Sequence, residues 1–228
     1  MFDLEQFYKW IPERIIAGAY VCGKWPKEIK LHQEIISQIG LSNINKKLLR
    51  LRNNSYQGKI KMLMDAWLMG RKAEKINIVR LRTFFNRITH CEREFKILHK
   101  IKIQDYDEDI HGEALEKILN CAKDIVTTKA KVVAVSKILH HLLPNLIVPI
   151  DHIYTEKFLR ECRDYYKKTV AFNSVLEIKY LTKFFGDIAI HSSMKLTCNK
   201  SGKYADTSDT KTIDNWIIMW VDLKLNLS

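Results

Sequence analysis

Glycine and proline are scarce in this chain, at 8 and 4 of 228 residues. A β architecture built on tight turns needs more of both, so the shortage favours long helices. No run approaches the ~20 apolar residues that a membrane helix requires. Asp3 and Glu5 precede any basic residue, unlike a secretory signal. The five cysteines, Cys22, Cys91, Cys121, Cys162 and Cys198, are scattered, which fits free thiols in a reducing compartment. The sequence contains no internal repeat, no Gly-rich phosphate loop and no Ser/His/Asp signature. Acidic residues are also short, 26 against 38 Lys+Arg, leaving a net charge of +12. That surplus favours polyanionic partners, nucleic acid first, although a lysine- and isoleucine-rich composition also follows from an AT-rich genome.

With 46% hydrophobic residues, the chain can bury a core as one large or two small domains. Apolar spacing predicts helices over 2–10 and 26–39, the second opened by Pro26 and stopped by Gly40. Trp10, Tyr20 and Trp25 read as core or hinge aromatics, with a base-stacking platform as their functional alternative. A basic segment capped by Ser42 carries Lys46, Lys47, Arg50 and Arg52, and Asn53 to Ser55 break it. A Met-rich helix over 57–69 follows, ending at Gly70. Residues 71–103 are the most basic, with Arg80, Arg82 and Arg87 among interleaved aromatics. They read either as a solvated face or as a surface that tracks a phosphate backbone. The acidic run Asp105 to Asp109 reads as a helix N-terminal turn, followed by a helix over 110–126. Further helices are expected from Asp151 to about 166, over 171–190, and from Ser208 or Asp209 onward, with a polar loop over 192–208.

One stretch suggests a specific chemistry. Thr127 or Thr128 can cap a helix in which Val132, Val135, Ile138, Leu139, Leu142 and Leu143 form one apolar stripe. Pro144 ends that helix, Leu146 to Ile150 connect, and Asp151 stands at the N-cap of the next. A carboxylate there is oriented by backbone N–H groups and only partly hydrated. His140, His141 and His152 lie nearby but lack the i, i+4 spacing of a helical metal box, so no metal is expected. His140 and His141 are expected at the surface or on a hydrogen-bond partner, and His152 beside Asp151 in a cleft.

Lys131, Pro144 and the Val148-Pro149-Ile150-Asp151 run resemble the helix-hairpin-helix segment of the DNA glycosylase superfamily, the 8-oxoguanine and endonuclease-III-like enzymes. The similarity covers about 25 of 228 residues. It implies an all-α, two-lobed fold with a cleft between the lobes. A hairpin lobe would span about 105–170, and 1–104 with 171–228 would complete the other. It also implies Lys131 as an amine nucleophile and Asp151 as the catalytic carboxylate, with base excision, with or without a lyase step, as the reaction. A damaged base would flip into the cleft. Thr127, Thr128 and Lys129, with Arg80, Arg82 and Arg87, would contact the phosphates of duplex DNA. No cofactor is expected, and the location would be cytoplasmic or nucleoid-associated. The cysteine spacing does not match the family's iron–sulfur loop.

The family's hairpin carries two glycines, whereas Ile125 to Ala130 contain none. Ser136-Lys137 followed by the Leu/His run and Pro144 also resembles relatives that keep the fold without the chemistry. Two alternatives therefore stand beside the enzyme: a non-catalytic nucleic-acid-binding protein on the same scaffold, and a helical protein-interaction domain.

Overall fold

The computed structural model describes residues 4–39, 44–68, 77–125, 131–162, 174–193, 196 and 208–225. Among these residues the protein is all-α, with no strand. The helices are α1 (Leu4–Trp10), α2 (Arg14–Lys24), α3 (Pro26–Ile39), α4 (Ile44–Leu51), α5 (Asn54–Leu68), α6 (Ile78–His90) and α7 (Glu92–Leu98). A 3-10 turn (Ile103–Asp105) leads into α8 (Glu108–Ala122), α9 (Lys131–Leu142), α10 (Tyr154–Glu161), α11 (Glu177–His191) and α12 (Asp209–Trp220), which unwinds through a π-helical turn (Val221–Leu225).

Short polar side chains set several of the starts. Asn77 Oδ1 accepts from Val79 N at 2.8 Å, and Asp107 Oδ1 from Asp109 N at 2.8 Å. Ser208 Oγ accepts from Lys211 N at 3.2 Å. Each such cap contributes about 1 kcal/mol. The acidic run is thus a helix start, with Glu108 and Asp109 in the first turn. Helix α4 ends at Leu51, just before Asn53, which also begins the next helix, since its Oδ1 accepts from Ser55 N and Tyr56 N. The described part of the basic stretch is two helices, broken at Cys91. Helix α2, between Pro12 and Pro26, has no counterpart among the sequence expectations.

One continuous core runs from Leu4 and Phe7 to Trp220 and Val221. The Phe7 ring lies 4.8 Å from Phe158 and 5.5 Å edge-on from Trp220. Trp216 is fully buried and donates from Nε1 to Pro12 O at 3.1 Å. Two helices lie deepest. Every residue of α9 from Val132 to Leu142 is buried, as is every residue of α12 from Thr210 to Ile218. Helix α9 packs on α3, α5 and α11, and α12 packs on α2, α10 and α11. The single apolar stripe expected of α9 is therefore a helix buried on all sides, and its polar residues must find partners inside the protein. No described helix is long and apolar enough to cross a membrane.

Candidate functional site

The site is built on the turn between α9 and α10. Pro144 stops α9, and the connector Leu146 to Ile150 is buried yet not helical, so its backbone groups need outside partners. They find them in α9 itself. Ile150 N donates to Ser136 Oγ at 3.0 Å, and His140 Nδ1 donates to Ile147 O at 2.7 Å. Remote segments close the turn. Ile103 N donates to Asn145 O at 2.8 Å, and the Thr210 hydroxyl donates to Pro144 O at 2.5 Å.

This clamp fixes Asp151. Its Oδ1 accepts from Ile153 N at 2.8 Å and Tyr154 N at 3.3 Å, at the start of α10. Its Oδ2 lies 3.2 Å from Lys137 Nζ, and its own N–H donates to Thr155 Oγ1 at 2.9 Å. The Lys137 side chain is 8% exposed and that of Asp151 23%. Burial opposes ionisation of Asp151, but the Lys137 charge and the two backbone donors outweigh it and hold the carboxyl below its ordinary range. The result is a fixed carboxylate, open to solvent on one side, that can stabilise positive charge.

A second buried ion pair, Lys211 with Asp214 on α12, stands behind the first and feels both Asp151 and Lys137. Burial pushes the Asp214 carboxyl up, partly offset by Lys211. Three imidazoles line the same region. His141 Nδ1 donates to Lys137 O at 2.6 Å, which leaves Nε2 to accept from His32 Nδ1 at 3.0 Å. The His140 ring stacks on His32 at 5.3 Å. Burial is the main cause that lowers all three, helped by the neighbouring imidazoles at His32 and His140 and by Lys211 at each, with His141 at about 4, so they are neutral at physiological pH. His140 and His141 are thus not surface residues, as one expectation had them, but the internal partners of a buried turn. His152 is the exposed one, paired with Glu156. Among the described residues no three His, Cys, Asp or Glu side chains group as metal ligands.

Of the residues singled out in the sequence, Lys131 opens α9 and is partly exposed. It lies near Asp124 rather than in the ion pair with Asp151. Lys137, which makes that pair, is six residues further along α9, about 9 Å of axial rise. Arg82 and Arg87 are exposed on α6, and Arg80 is partly so. Arg87 Nη1 pairs with Asp124 Oδ2 at 2.7 Å, which brings α6 to the end of α8. The Arg87 hydrogen bond, with smaller contributions from Lys123 and Lys131, holds the Asp124 carboxyl below its ordinary range. Thr127, Thr128 and Lys129 lie outside the described residues.

Sequence reasoning missed Lys137, His32, Lys211 and Asp214 as members of one cluster. A signal existed for Lys137: a lone cation inside an apolar helix, with Asp151 beyond a proline turn. None existed for His32 or α12, which tertiary packing alone brings to α9. No family model, curated protein or solved structure matches this chain.

Proposed function

We propose that this protein is a DNA base-excision glycosylase with Asp151 as its catalytic carboxylate. One observation carries the reading: an ionised, partly open carboxylate fixed at a helix start and faced by a lysine across a proline turn. When an N-glycosidic bond breaks, the base leaves with the bonding electrons and the sugar C1′ becomes positive. A preorganised carboxylate lowers the energy of that state more than that of the neutral substrate. Helices α8 and α9 with their connection would serve as the hairpin. The cations around Asp124, with Arg80 and Arg82 on α6, would grip duplex phosphates. The flipped base would enter between the hairpin lobe, about 105–170, and the remainder of the chain. Lys131, at the open end of α9, is the amine for a lyase step, and Lys137 is the amine nearest the carboxylate.

A second reading has its own support. Both Asp151 oxygens are already engaged, by Lys137 and by two backbone N–H groups. A purely structural cap looks the same, and a non-catalytic nucleic-acid-binding protein would need nothing more.

The test is base release from duplexes carrying single oxidised, deaminated or alkylated bases, beside borohydride trapping on an abasic site. Wild type is compared with Asp151→Asn, Lys131→Gln, Lys137→Gln and Lys129→Gln. Release abolished in folded Asp151→Asn supports the enzyme, and an adduct lost in only one lysine variant names the amine. Salt-sensitive duplex binding with no release and no adduct overturns it in favour of the binding protein.

A further inference from the structure

A second feature lies one helical turn from Asp151. Lys24, at the end of α2, points its ammonium at three aromatic rings. Nζ is 5.1 Å from the Trp25 ring centroid, 5.2 Å from Tyr154 and 5.9 Å from Tyr20. Tyr154 OH accepts from Nζ at 2.9 Å, and Asp222, in the turn after α12, supplies the counter-charge. Tyr20 OH donates to the same Asp222 oxygen at 3.0 Å, which holds ring and carboxylate together. Val21, Ile29 and Ile218 form an apolar floor against which Tyr20, Trp25 and Tyr154 pack. The rings come from α2, the α2–α3 junction and α10, so no single local helix accounts for their convergence.

Three aromatic side chains and one carboxylate gather around one cation, Tyr154 by its hydroxyl edge, which resembles the aromatic cages that recognise methylated ammonium groups. Holding Lys24 alone does not require it. A surface lysine needs one carboxylate, and its ammonium is strongly hydrated, so ring faces serve it less well than a group with dispersed charge. The Lys24 side chain is 36% exposed, while Asp222 is only 13% exposed. The resident cation can therefore swing out on its flexible stem and leave the cage standing.

We propose that Tyr20, Trp25, Tyr154 and Asp222 form a binding site for a methylated ammonium group, with Lys24 as the built-in competitor that the ligand displaces. Tethering gives Lys24 a high effective concentration, so only a cation better matched to the rings enters. The group could arrive on a small quaternary amine or on the methylated lysine of a partner, and the chemistry recognised is the same.

Saturation-transfer NMR on the whole chain with tetramethylammonium tests this, with tert-butanol as the uncharged control of similar shape. Wild type is expected to saturate tetramethylammonium and not tert-butanol. Lys24→Met, which removes the competitor, is expected to bind about tenfold tighter, and Asp222→Asn about tenfold weaker. Trp25→Leu should abolish the signal, and far-ultraviolet circular dichroism checks that each variant is folded. If Trp25→Leu does not fold, Asp222→Asn decides. Titration with choline and with a trimethyllysine peptide then separates the sources: tighter peptide binding points to a partner's lysine, and tighter choline binding to a free amine. No saturation in wild type, equal saturation of tert-butanol, or binding indifferent to Asp222→Asn overturns the proposal.

Discussion

At the scale of single residues, the site rests on charges inside the protein. Lys137→Met leaves the Asp151 carboxylate with only its two backbone donors. Because that carboxylate is still partly hydrated, we expect a loss of about 2 kcal/mol in urea unfolding at pH 7, less than for a fully buried pair. The folded state depresses the Asp151 pKa, so this contribution is present above the unfolded carboxylate value, near 3.9, and fades as pH falls below it. Wild type and variant should therefore converge in acid. Lys47 has the same sign of pH dependence in an alkaline window. It is fully buried, donating to Leu142 O at 2.9 Å and lying 3.1 Å from His99 Nδ1, and burial pushes it down to about 8. The unfolded chain binds more protons than the folded one between about pH 8 and 10.5. Stability should rise with pH across that window, by up to about 3 kcal/mol from this group. Chemical unfolding of wild type beside Lys47→Met should show the rise only in wild type. In the sequence Lys47 was one cation of the dense basic segment that follows Ser42. Its neighbours gave no hint that it would reach back to close the end of α9.

At the scale of elements, what was legible follows from what is local. The all-α class, the end of α9 before Pro144 and the cap at Ser208 can be read from apolar spacing, proline position and one hydroxyl, all interactions within a few residues. Helix α2 was missed because it is short, lies between prolines and carries Gly18 and Gly23, which weaken a helical pattern. The buried polar face of α12 was hidden for another reason. Thr210, Lys211, Asp214 and Asn215 are polar, and only packing against other helices buries them. Close approach between elements can also be tested. A Cβ on Gly186 of α11 would stand 2.9 Å from Ile103 O, a backbone atom of the 3-10 turn, whereas a Cβ on Gly58 of α5 meets nothing within 4 Å. Gly186→Ala should lower the unfolding free energy by about 2 kcal/mol through the forced shift. Gly58→Ala should raise it by up to about 1 kcal/mol through helix propensity. Thermal melts of the two variants should therefore move in opposite directions.

At the scale of the whole molecule, the net charge of +12 and the cations near the α8–α9 connection set an expectation about salt. If α6 lies along a phosphate backbone, duplex affinity should fall steeply with ionic strength. Replacing Arg82 and Arg87 with Gln should make the log–log slope shallower by about 0.9 for each phosphate that is no longer neutralised. Fluorescence anisotropy between 50 and 200 mM salt, on the order of the range where such effects are large, is the measurement. An unchanged slope would place the phosphate-binding surface elsewhere.

The clamp on the α9–α10 turn bears on when this protein becomes competent. Thr210 holds Pro144, and Lys211 and Asp214 stand behind Lys137 and Asp151, yet α12 is the last helix of the series to be synthesised. A nascent chain halted before residue 208 already contains every amino acid of the turn and of the helices it joins. It would still lack the Thr210 hydrogen bond to Pro144 and the Lys211–Asp214 pair behind Asp151. A chain ended there would carry every residue of the turn with its clamp incomplete, and would expose the faces of α2, α10 and α11 that α12 covers.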